Sequence, residues 1–161
     1  MEIWDAYNSD FEKIEGKQLV RGVKIDDGLF HLVCDILVKH TDGTYLLMQR
    51  DYRKSYGGMW EATAGGSALA GETPIECAVR ELREETGIVA PELTEVGRVV
   101  DNSTHSVYVE FLCITDWDKD GIILQEGETI AYKWVSREEL INMKGDRLVT
   151  KRMQNFVDEL K

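Results

Sequence analysis

The segment 66–88 constrains the fold of this chain more than any other, because both ends of a helix are marked within it. Thr73, followed by Pro74 and Glu76, supplies an N-cap residue, a proline at the first helical position and a capping-box partner. Gly87 follows the last plausible helical residue and can adopt the positive φ that closes a helix. The sequence therefore predicts a helix that begins at Pro74 and ends before Gly87.

Two kinds of side chain occupy different faces of this helix. Apolar residues at helical spacing predict one packed stripe, formed by Ile75, Ala78, Val79 and Leu82. Carboxylates gather on another face, formed by Glu81, Glu84 and Glu85. Like charges at these spacings repel by about 0.2–0.5 kcal/mol per pair, so the cluster costs stability unless a cation binds to it. Because Mg²⁺ and Mn²⁺ prefer carboxylate oxygens, this face is a candidate metal site.

The charged face has two interpretations. A run of charges usually marks a solvated surface, which would leave the glutamates without a special role. The order and spacing of the residues along the whole segment favour a functional site. The residues at the fixed positions are Gly66, Glu72, Arg80, Glu81, Glu84, Glu85 and Gly87. This pattern resembles the Nudix box, here 66–88, which is the signature of the Nudix hydrolase superfamily.

The resemblance implies an α/β fold, the Nudix α/β/α sandwich with a mixed β-sheet, and an enzyme that hydrolyses a diphosphate linkage. The implied substrate is a nucleoside diphosphate derivative or a related organic pyrophosphate, cleaved by water attack on phosphorus, with Mg²⁺ or Mn²⁺ as the cofactor. The implied metal ligands are Glu84, Glu85, Glu81 and the carbonyl oxygen of Gly65.

The general base stays open between two residues. Glu81 either completes the metal site or accepts the proton of the attacking water. Nudix hydrolases often place another glutamate on a loop just before a strand, and Glu128 matches that position, with Glu126 as the reserve. A solvated acidic loop is an equal alternative for this segment.

Three further residues are assigned by position. Arg80 lies one turn after Glu76 and one turn before Glu84, so its guanidinium can orient the carboxylates and offset part of their charge. Arg50 ends a predicted strand within a basic and aromatic group, and it is the candidate contact for phosphate or a base. Gly66 is the second candidate contact, because glycine permits close approach of the backbone. An ordinary solvated loop is the alternative for the group around Arg50.

The residues before the box resemble one branch of the superfamily, the proteins related to isopentenyl diphosphate isomerase. The resemblance rests on the Thr-Ala-Gly-Gly sequence at 63–66 and on a predicted N-terminal hairpin. Such isomerases carry a cysteine, a glycine and a metal-binding histidine where this chain has Ala64, Gly65 and Gly66. Because moving a proton on carbon needs an acid and a base, hydrolysis is favoured over isomerisation. A nucleotide sensor without catalysis and a helix that only docks a protein are the remaining alternatives.

Composition limits the partners and the compartment. The formal charge of −11 argues against general affinity for nucleic-acid backbones or anionic membranes, so the expected partner is a small-molecule diphosphate. A homodimer is compatible with the sequence. Cys34, Cys77 and Cys113 form no Cys-x-x-Cys pair, which predicts reduced buried thiols. With neither a leader pattern nor a membrane-length apolar run, we expect one cytoplasmic domain, 1–161.

The remaining sequence predicts a sheet with flanking helices. Strands are expected at 18–24, 29–38, 44–50, 94–100, 106–114 and 130–135, the second pairing with the third. Ser136 and Glu139 predict a short helix that ends near Gly145. A final helix should pack on the core through Val149, Met153, Phe156, Val157 and Leu160. His31 is interpreted as a hydrogen-bonded structural histidine and His105 as an exposed one, so neither is placed in the site.

Overall fold

The computed structural model describes residues 1–90, 92–143 and 157. The apolar run after residue 29 forms β3 (His31–His40), the strand around which the main sheet is built. β3 pairs in parallel with β8 (Ser106–Thr115) along its whole length and antiparallel with β6 (Thr63–Ser67). Because β3 carries buried residues on both faces, it separates two apolar clusters.

The other strands complete a mixed sheet, as predicted. They are β4 (Tyr45–Arg50), β5 (Trp60–Glu61), β7 (Thr94–Asp101) and β9 (Thr129–Val135). The path runs β5-β4-β3-β8-β7, while β6 also pairs with β3 and β9 with β4. The predicted pairing of β3 with β4 is confined to its turn end, where Lys39 lies opposite Tyr45. The two strands then diverge, because β6 and β9 supply their longer antiparallel partners.

The box helix is α1 (Pro74–Thr86), and its ends confirm the prediction. The Thr73 hydroxyl accepts a hydrogen bond from the Glu76 backbone N–H at 3.3 Å, and the Glu76 carboxylate accepts from the Thr73 N–H at 3.3 Å. Gly87 closes the helix with φ of 79°. These caps satisfy backbone groups that the helix ends would otherwise leave unpaired.

The predicted apolar stripe of α1 is only half right. Ala78 and Leu82 are buried, but Ile75 and Val79 remain 41% and 39% exposed. The packed face turns instead toward Cys77 and Thr86, which are also buried. Cys77 is small and apolar enough for α1 to approach β6 closely, with its Sγ 3.6 Å from the Gly66 carbonyl oxygen.

The opposite face of the sheet carries the second helix, α2 (Arg137–Ile141), so the main sheet lies between helices as the predicted α/β/α sandwich requires. The predicted capping box of Ser136 and Glu139 is present. Leu140 and Val157 are buried together in the cluster on this face, and Val157 is helical. The predicted stop near Gly145 and the other core positions of the final helix, Val149, Met153, Phe156 and Leu160, lie outside the described residues.

A separate two-stranded sheet opens the chain, formed by β1 (Ile3–Tyr7) and β2 (Lys13–Val20). A hairpin therefore opens the fold as predicted, but the strand predicted at 18–24 runs instead over Lys13–Val20 and pairs with an earlier strand. Gly22, with φ of 85°, and the bond from the Val23 N–H to the Val20 carbonyl turn the chain out of the sheet there. We call β1 and β2 together the hairpin.

The three cysteines, Cys34, Cys77 and Cys113, are free and buried, as expected. Among the described residues, no helix combines the length and the apolar character needed to cross a membrane.

Candidate active site

A polar cleft of about 390 Å³ lies where the end of β6, helix α1 and the hairpin meet. It is lined by Glu2, Trp4, Arg21, Lys54, Gly65, Gly66, Ser67, Leu69, Arg80, Glu81, Glu84, Glu85, Gln125 and Glu128. Of the predicted site residues, only Arg50 is not part of this lining. The fold thus gathers residues from the N-terminal segment and from the loop before β9 around the box.

Arg80 ties the acidic face of α1 together. Its Nε and Nη2 atoms donate to the two carboxylate oxygens of Glu72 at 2.6 and 2.9 Å, a bidentate pair that lowers the pKa of Glu72. Its Nη1 donates to Glu81 at 2.7 Å and to Glu84 at 3.2 Å. Arg80 was expected to pair with Glu76, but its partner is Glu72, because the Glu76 carboxylate caps the helix.

Glu85 points back to the glycine pair of β6, Gly65 and Gly66. Its Oε2 accepts a hydrogen bond from the Gly65 backbone N–H at 3.1 Å. Burial raises the pKa of Glu85 to about 8, and the negative charges of Glu81 and Glu61 add to this rise. Burial also raises the pKa of Glu81, although Arg80 opposes that effect. Two box carboxylates are therefore held where ionisation is unfavourable without a nearby cation.

The two glycines of this pair meet different steric requirements. A Cβ on Gly65 would lie 2.0 Å from the carbonyl oxygen of Cys34 on the paired strand. A Cβ on Gly66 would lie 2.7 Å from Oε1 of Glu81. Gly65 thus lets two strands approach, whereas Gly66 makes room for the carboxylate of Glu81.

The donor set fits a divalent cation, although it is not assembled as a cage. Within 1–90, 92–143 and 157, no three carboxylate, imidazole or thiol groups converge closely enough to hold a metal ion as they stand. The reason is that Arg80 engages Glu81 and Glu84, and Glu85 is bonded to Gly65. Hard oxygen donors with raised pKa values are the groups that a bound divalent cation would stabilise in the ionised form.

The opposite wall of the cleft carries an ion pair between Lys54 and Glu128. Glu128 is thus in the cleft, while its reserve Glu126 is not part of the lining. Arg50 lies outside, paired with Glu61 and donating from Nε to the Ser55 carbonyl at 2.8 Å. Lys54, which lies four residues later in the same basic group, lines the cleft in place of Arg50.

His31 and His105 do not line the cleft, but each has close partners. His31 is stacked on Trp4 with ring centroids 4.1 Å apart and an interplanar angle of 14°. Burial lowers the pKa of His31 to about 4, so it is neutral near pH 7. His105 is not simply exposed, since its Nδ1 lies 3.2 Å from the Leu29 carbonyl oxygen.

Sequence reasoning missed the residues that β6, the hairpin and the positions flanking the hairpin add to the cleft. These are Glu2, Trp4, Arg21 and Ser67. Ser67 directly follows the glycine pair within the box and could have been inspected as part of it. The other three carry no local signal, because they meet the box only through the tertiary fold.

Comparison with known proteins gives one family. The NUDIX domain matches residues 29–159. The chain is 32% identical over 142 residues to an uncharacterized Nudix hydrolase of Listeria monocytogenes, covering 87% of this chain and 83% of that protein. It is 25% identical over 144 residues to an isopentenyl-diphosphate Delta-isomerase of Corynebacterium diphtheriae, covering 83% and 78% of the two chains.

Among solved structures, the fold is similar to the NUDIX domain of Shewanella oneidensis NrtR, which was crystallised with ADP ribose. The TM-score is 0.66 at 19% identity, and the match covers 87% of this chain and 91% of that one. At this level of identity, the similarity bears on the fold alone.

Proposed function

The chain belongs to the Nudix family and is a pyrophosphohydrolase, and from this premise we propose that it cleaves an organic diphosphate with Mg²⁺ or Mn²⁺ at the cleft beside the box. The substrate class that we propose is a nucleoside diphosphate derivative or a related organic pyrophosphate. The observation that supports the proposal is that Glu81, Glu84 and Glu85 meet Gly65 and Gly66 of β6 in one cleft.

The residues that would hold the metal are Glu81, Glu84, Glu85 and the carbonyl oxygen of Gly65. When bound, a divalent cation supplies charge neutralisation for phosphate oxygens and a lowered pKa for an attacking water. Arg80 orients Glu81 and Glu84 through the hydrogen bonds described above. Displacing the guanidinium toward Glu72 alone would free both carboxylates while keeping one bidentate pair.

Glu81 and Glu128 are the two candidates that we propose for taking the proton of the attacking water, and both line the cleft. Glu81 has a raised pKa, which favours proton uptake, but it is also a proposed ligand. Glu128 is paired with Lys54, whose ammonium would be released to a phosphate oxygen if Glu128 turned toward the water. A pH profile of the Glu81→Gln and Glu128→Gln variants separates the two roles.

The isomerase alternative finds no acid or base at the required positions. Ala64 is buried in the core cluster beneath α1, and Gly65 has no room for a side chain. Two relatives that carry the isomerase name are 25% and 31% identical, and their named activity needs groups that Ala64 and Gly65 do not supply. We propose a one-domain hydrolase of small molecules that acts in the cytoplasm. The three free thiols support this compartment, because a reducing environment keeps cysteines in the thiol form.

The test is a turnover screen with Mg²⁺ and with Mn²⁺. Nucleoside triphosphates, nucleotide sugars including ADP-ribose, dinucleoside polyphosphates and prenyl diphosphates are offered at equal concentration. In water labelled with ¹⁸O, mass spectrometry of the two products identifies the phosphorus that water attacks. We expect metal-dependent hydrolysis with label in one phosphate product. Tight binding without turnover under every metal would identify a sensor instead.

A further inference from the structure

Two of the three free cysteines meet in the core directly beneath the box. Cys34 lies on β3 and Cys77 on α1, and both are fully buried in the same apolar cluster. Cys34 Sγ lies 3.3 Å from the carbonyl oxygen of Pro74, in the first turn of α1. Cys77 Sγ lies 3.6 Å from the carbonyl oxygen of Gly66, the residue opposite Cys34 in the pairing of β3 with β6. Each thiol is thus directed at the part of the fold that carries the other.

The two thiols are also hydrogen-bonded to each other. This bond to Cys77 raises the pKa of Cys34, and burial adds to the rise. Cys34 therefore keeps its proton, which leaves the attack on an oxidant to Cys77. The third thiol is too far away to take part. Cys113 of β8 lies opposite Val38, about 13 Å along β3 from Cys34, since a strand rises about 3.3 Å per residue.

The thiol pair lies one contact below the floor of the cleft. Gly66, whose carbonyl oxygen touches Cys77 Sγ, lines the cleft. Arg80 also lines it, and its Nη2 lies 4.0 Å from the same sulfur. A neighbouring guanidinium stabilises a thiolate, which is the reactive form of cysteine. The cleft is therefore the route by which a small, uncharged oxidant reaches Cys77.

We propose that Cys34 and Cys77 form an oxidation site, at which a peroxide converts the two thiols into a disulfide that joins β3 to α1 and lowers turnover at the box. The effect on turnover rests on the proposed function, whereas the formation of the disulfide does not. In the reduced protein the pair packs as part of the core. In the oxidised protein it regulates the site above it.

The reaction takes two steps and consumes one hydrogen peroxide. The Cys77 thiolate attacks one peroxide oxygen, the O–O bond breaks, and a sulfenic acid forms as hydroxide leaves and takes up the proton that the thiol released. Cys34 Sγ then attacks the sulfenic sulfur, and the S–O bond breaks as the S–S bond forms. The departing hydroxyl takes the Cys34 proton and leaves as water. The two sulfurs together lose two electrons, and the peroxide becomes two water molecules.

The disulfide must change the geometry at the start of the box helix. An S–S bond is about 2.05 Å long, much shorter than the contact between two hydrogen-bonded thiols, so Cys77 moves toward β3. Glu81 follows Cys77 by one helical turn, and its Oε1 lies 2.7 Å from the position of a Cβ on Gly66. Because catalytic groups tolerate little displacement, this movement disturbs a proposed metal ligand. The same bond should raise Tm, because it constrains a long segment of the unfolded chain.

The disulfide is mapped on the whole protein after treatment with hydrogen peroxide. Remaining thiols are blocked with iodoacetamide in denaturant, and the protein is digested with trypsin without reductant. Cleavage after lysine and arginine places Cys34 in the peptide 25–39 and Cys77 in the peptide 55–80. We expect a mass equal to these two peptides joined with the loss of two hydrogens, and we expect it to disappear after reduction with a phosphine. Cys113 should be recovered in its alkylated form.

Turnover is measured with Mg²⁺ before oxidation, after oxidation and after reduction. We expect kcat/KM to fall at least about tenfold on oxidation, as displaced catalytic groups commonly cause, and to recover with the phosphine. Recovery separates a disulfide from cysteine sulfinic acid and methionine sulfoxide, which a phosphine does not reverse. Cys113→Ala, the matched control, should form the same crosslink and lose the same activity. Cys34→Ala and Cys77→Ala should form no crosslink and show no loss that the phosphine reverses.

The outcomes distinguish the oxidation site from the hydrolase assignment. Recovery of Cys34 and Cys77 in separate peptides after peroxide treatment, or a crosslink through Cys113, overturns the oxidation site whatever the variants do. A joined pair with unchanged turnover overturns its effect on the box, as does an equal reversible loss in Cys34→Ala and Cys77→Ala. Absence of metal-dependent turnover in the reduced protein on every substrate, with the crosslink formed on oxidation, instead overturns the hydrolase assignment.

Discussion

The box segment and the hairpin wall the same cleft, but they are stabilised in opposite ways. The box gathers carboxylates whose charges oppose one another and depend on Arg80. The hairpin packs an indole on a neutral imidazole and bonds its backbone to the loop before α1. One region is thus built for charge that changes during binding, and the other for a surface that stays fixed.

The largest expected effect separates chemistry from folding at the box. Glu84→Gln should leave the fold intact, because Glu84 is exposed, and lower turnover by at least about two orders of magnitude. Steady-state hydrolysis and thermal unfolding measure the two effects. Glu138→Gln, an equal change on an exposed position of α2, is the control. Near wild-type turnover in Glu84→Gln would contradict the view that the box, unlike the hairpin, depends on its charged side chains.

The paired glycines sharpen the contrast within the box. Gly65→Ala should lower the free energy of unfolding by about 2 kcal/mol, because its Cβ meets the Cys34 backbone and a strand must move. Gly66→Ala meets the end of a flexible side chain, so it should cost less stability but displace Glu81 and reduce turnover. Urea unfolding and kinetics on both variants measure this, and the same stability loss in both would contradict it.

The pH dependence of the metal-free protein tests the charged region. The pKa of Glu85 is raised from 4.5 to about 8, so the folded state binds the extra proton between these values. Stability from this group is present below pH 4.5 and is lost as pH rises toward 8. With EDTA present, Tm should fall over that range, and Glu85→Gln should flatten the fall. A Tm difference between the variant and the wild type that does not change with pH would refute the burial of this carboxylate.

The smallest expected effect has the opposite sign and belongs to the hairpin. The pKa of His31 is lowered from 6.5 to about 4, so its contribution to stability is present above pH 6.5 and is lost as pH falls toward 4. Hydrogen exchange of the β1 amides should therefore accelerate on acidification, and less so in His31→Gln. Equal acceleration in both proteins would show that the stack with Trp4 does not govern the hairpin.

The two regions also differ in how much of them the sequence predicts. The ends of α1 were predictable because caps are local, with Thr73, Glu76 and Gly87 each acting within a few positions. The glutamate spacing likewise placed the acidic face. Hairpin contacts such as Trp4 on His31 join residues that are far apart in sequence, and no periodicity announces them.

The structure also departs from the sequence predictions where two local patterns competed. Periodicity predicted that Ile75 and Val79 would pack, but several faces of α1 carry apolar residues, and the fold buries the one containing Cys77 and Leu82. Arg50 and Lys54 belong to the same basic group, and only the turn after β4 decides which one reaches the cleft. Sequence predicted the chemistry of these segments better than the direction of their side chains.

The hairpin joins the remainder of the protein through both main-chain and side-chain contacts. Tyr7 and Phe30 exchange N–H to carbonyl bonds at 2.8 and 3.0 Å, and Ile3 accepts from Ala70. These main-chain bonds do not depend on which side chains the ribbon carries, whereas the Trp4 stack and the bond from the Gly71 N–H to the Asp5 carboxylate do. The exposed positions of the ribbon are therefore free to diverge while the attachment persists, so one wall of the cleft can change in evolution without any change in the box.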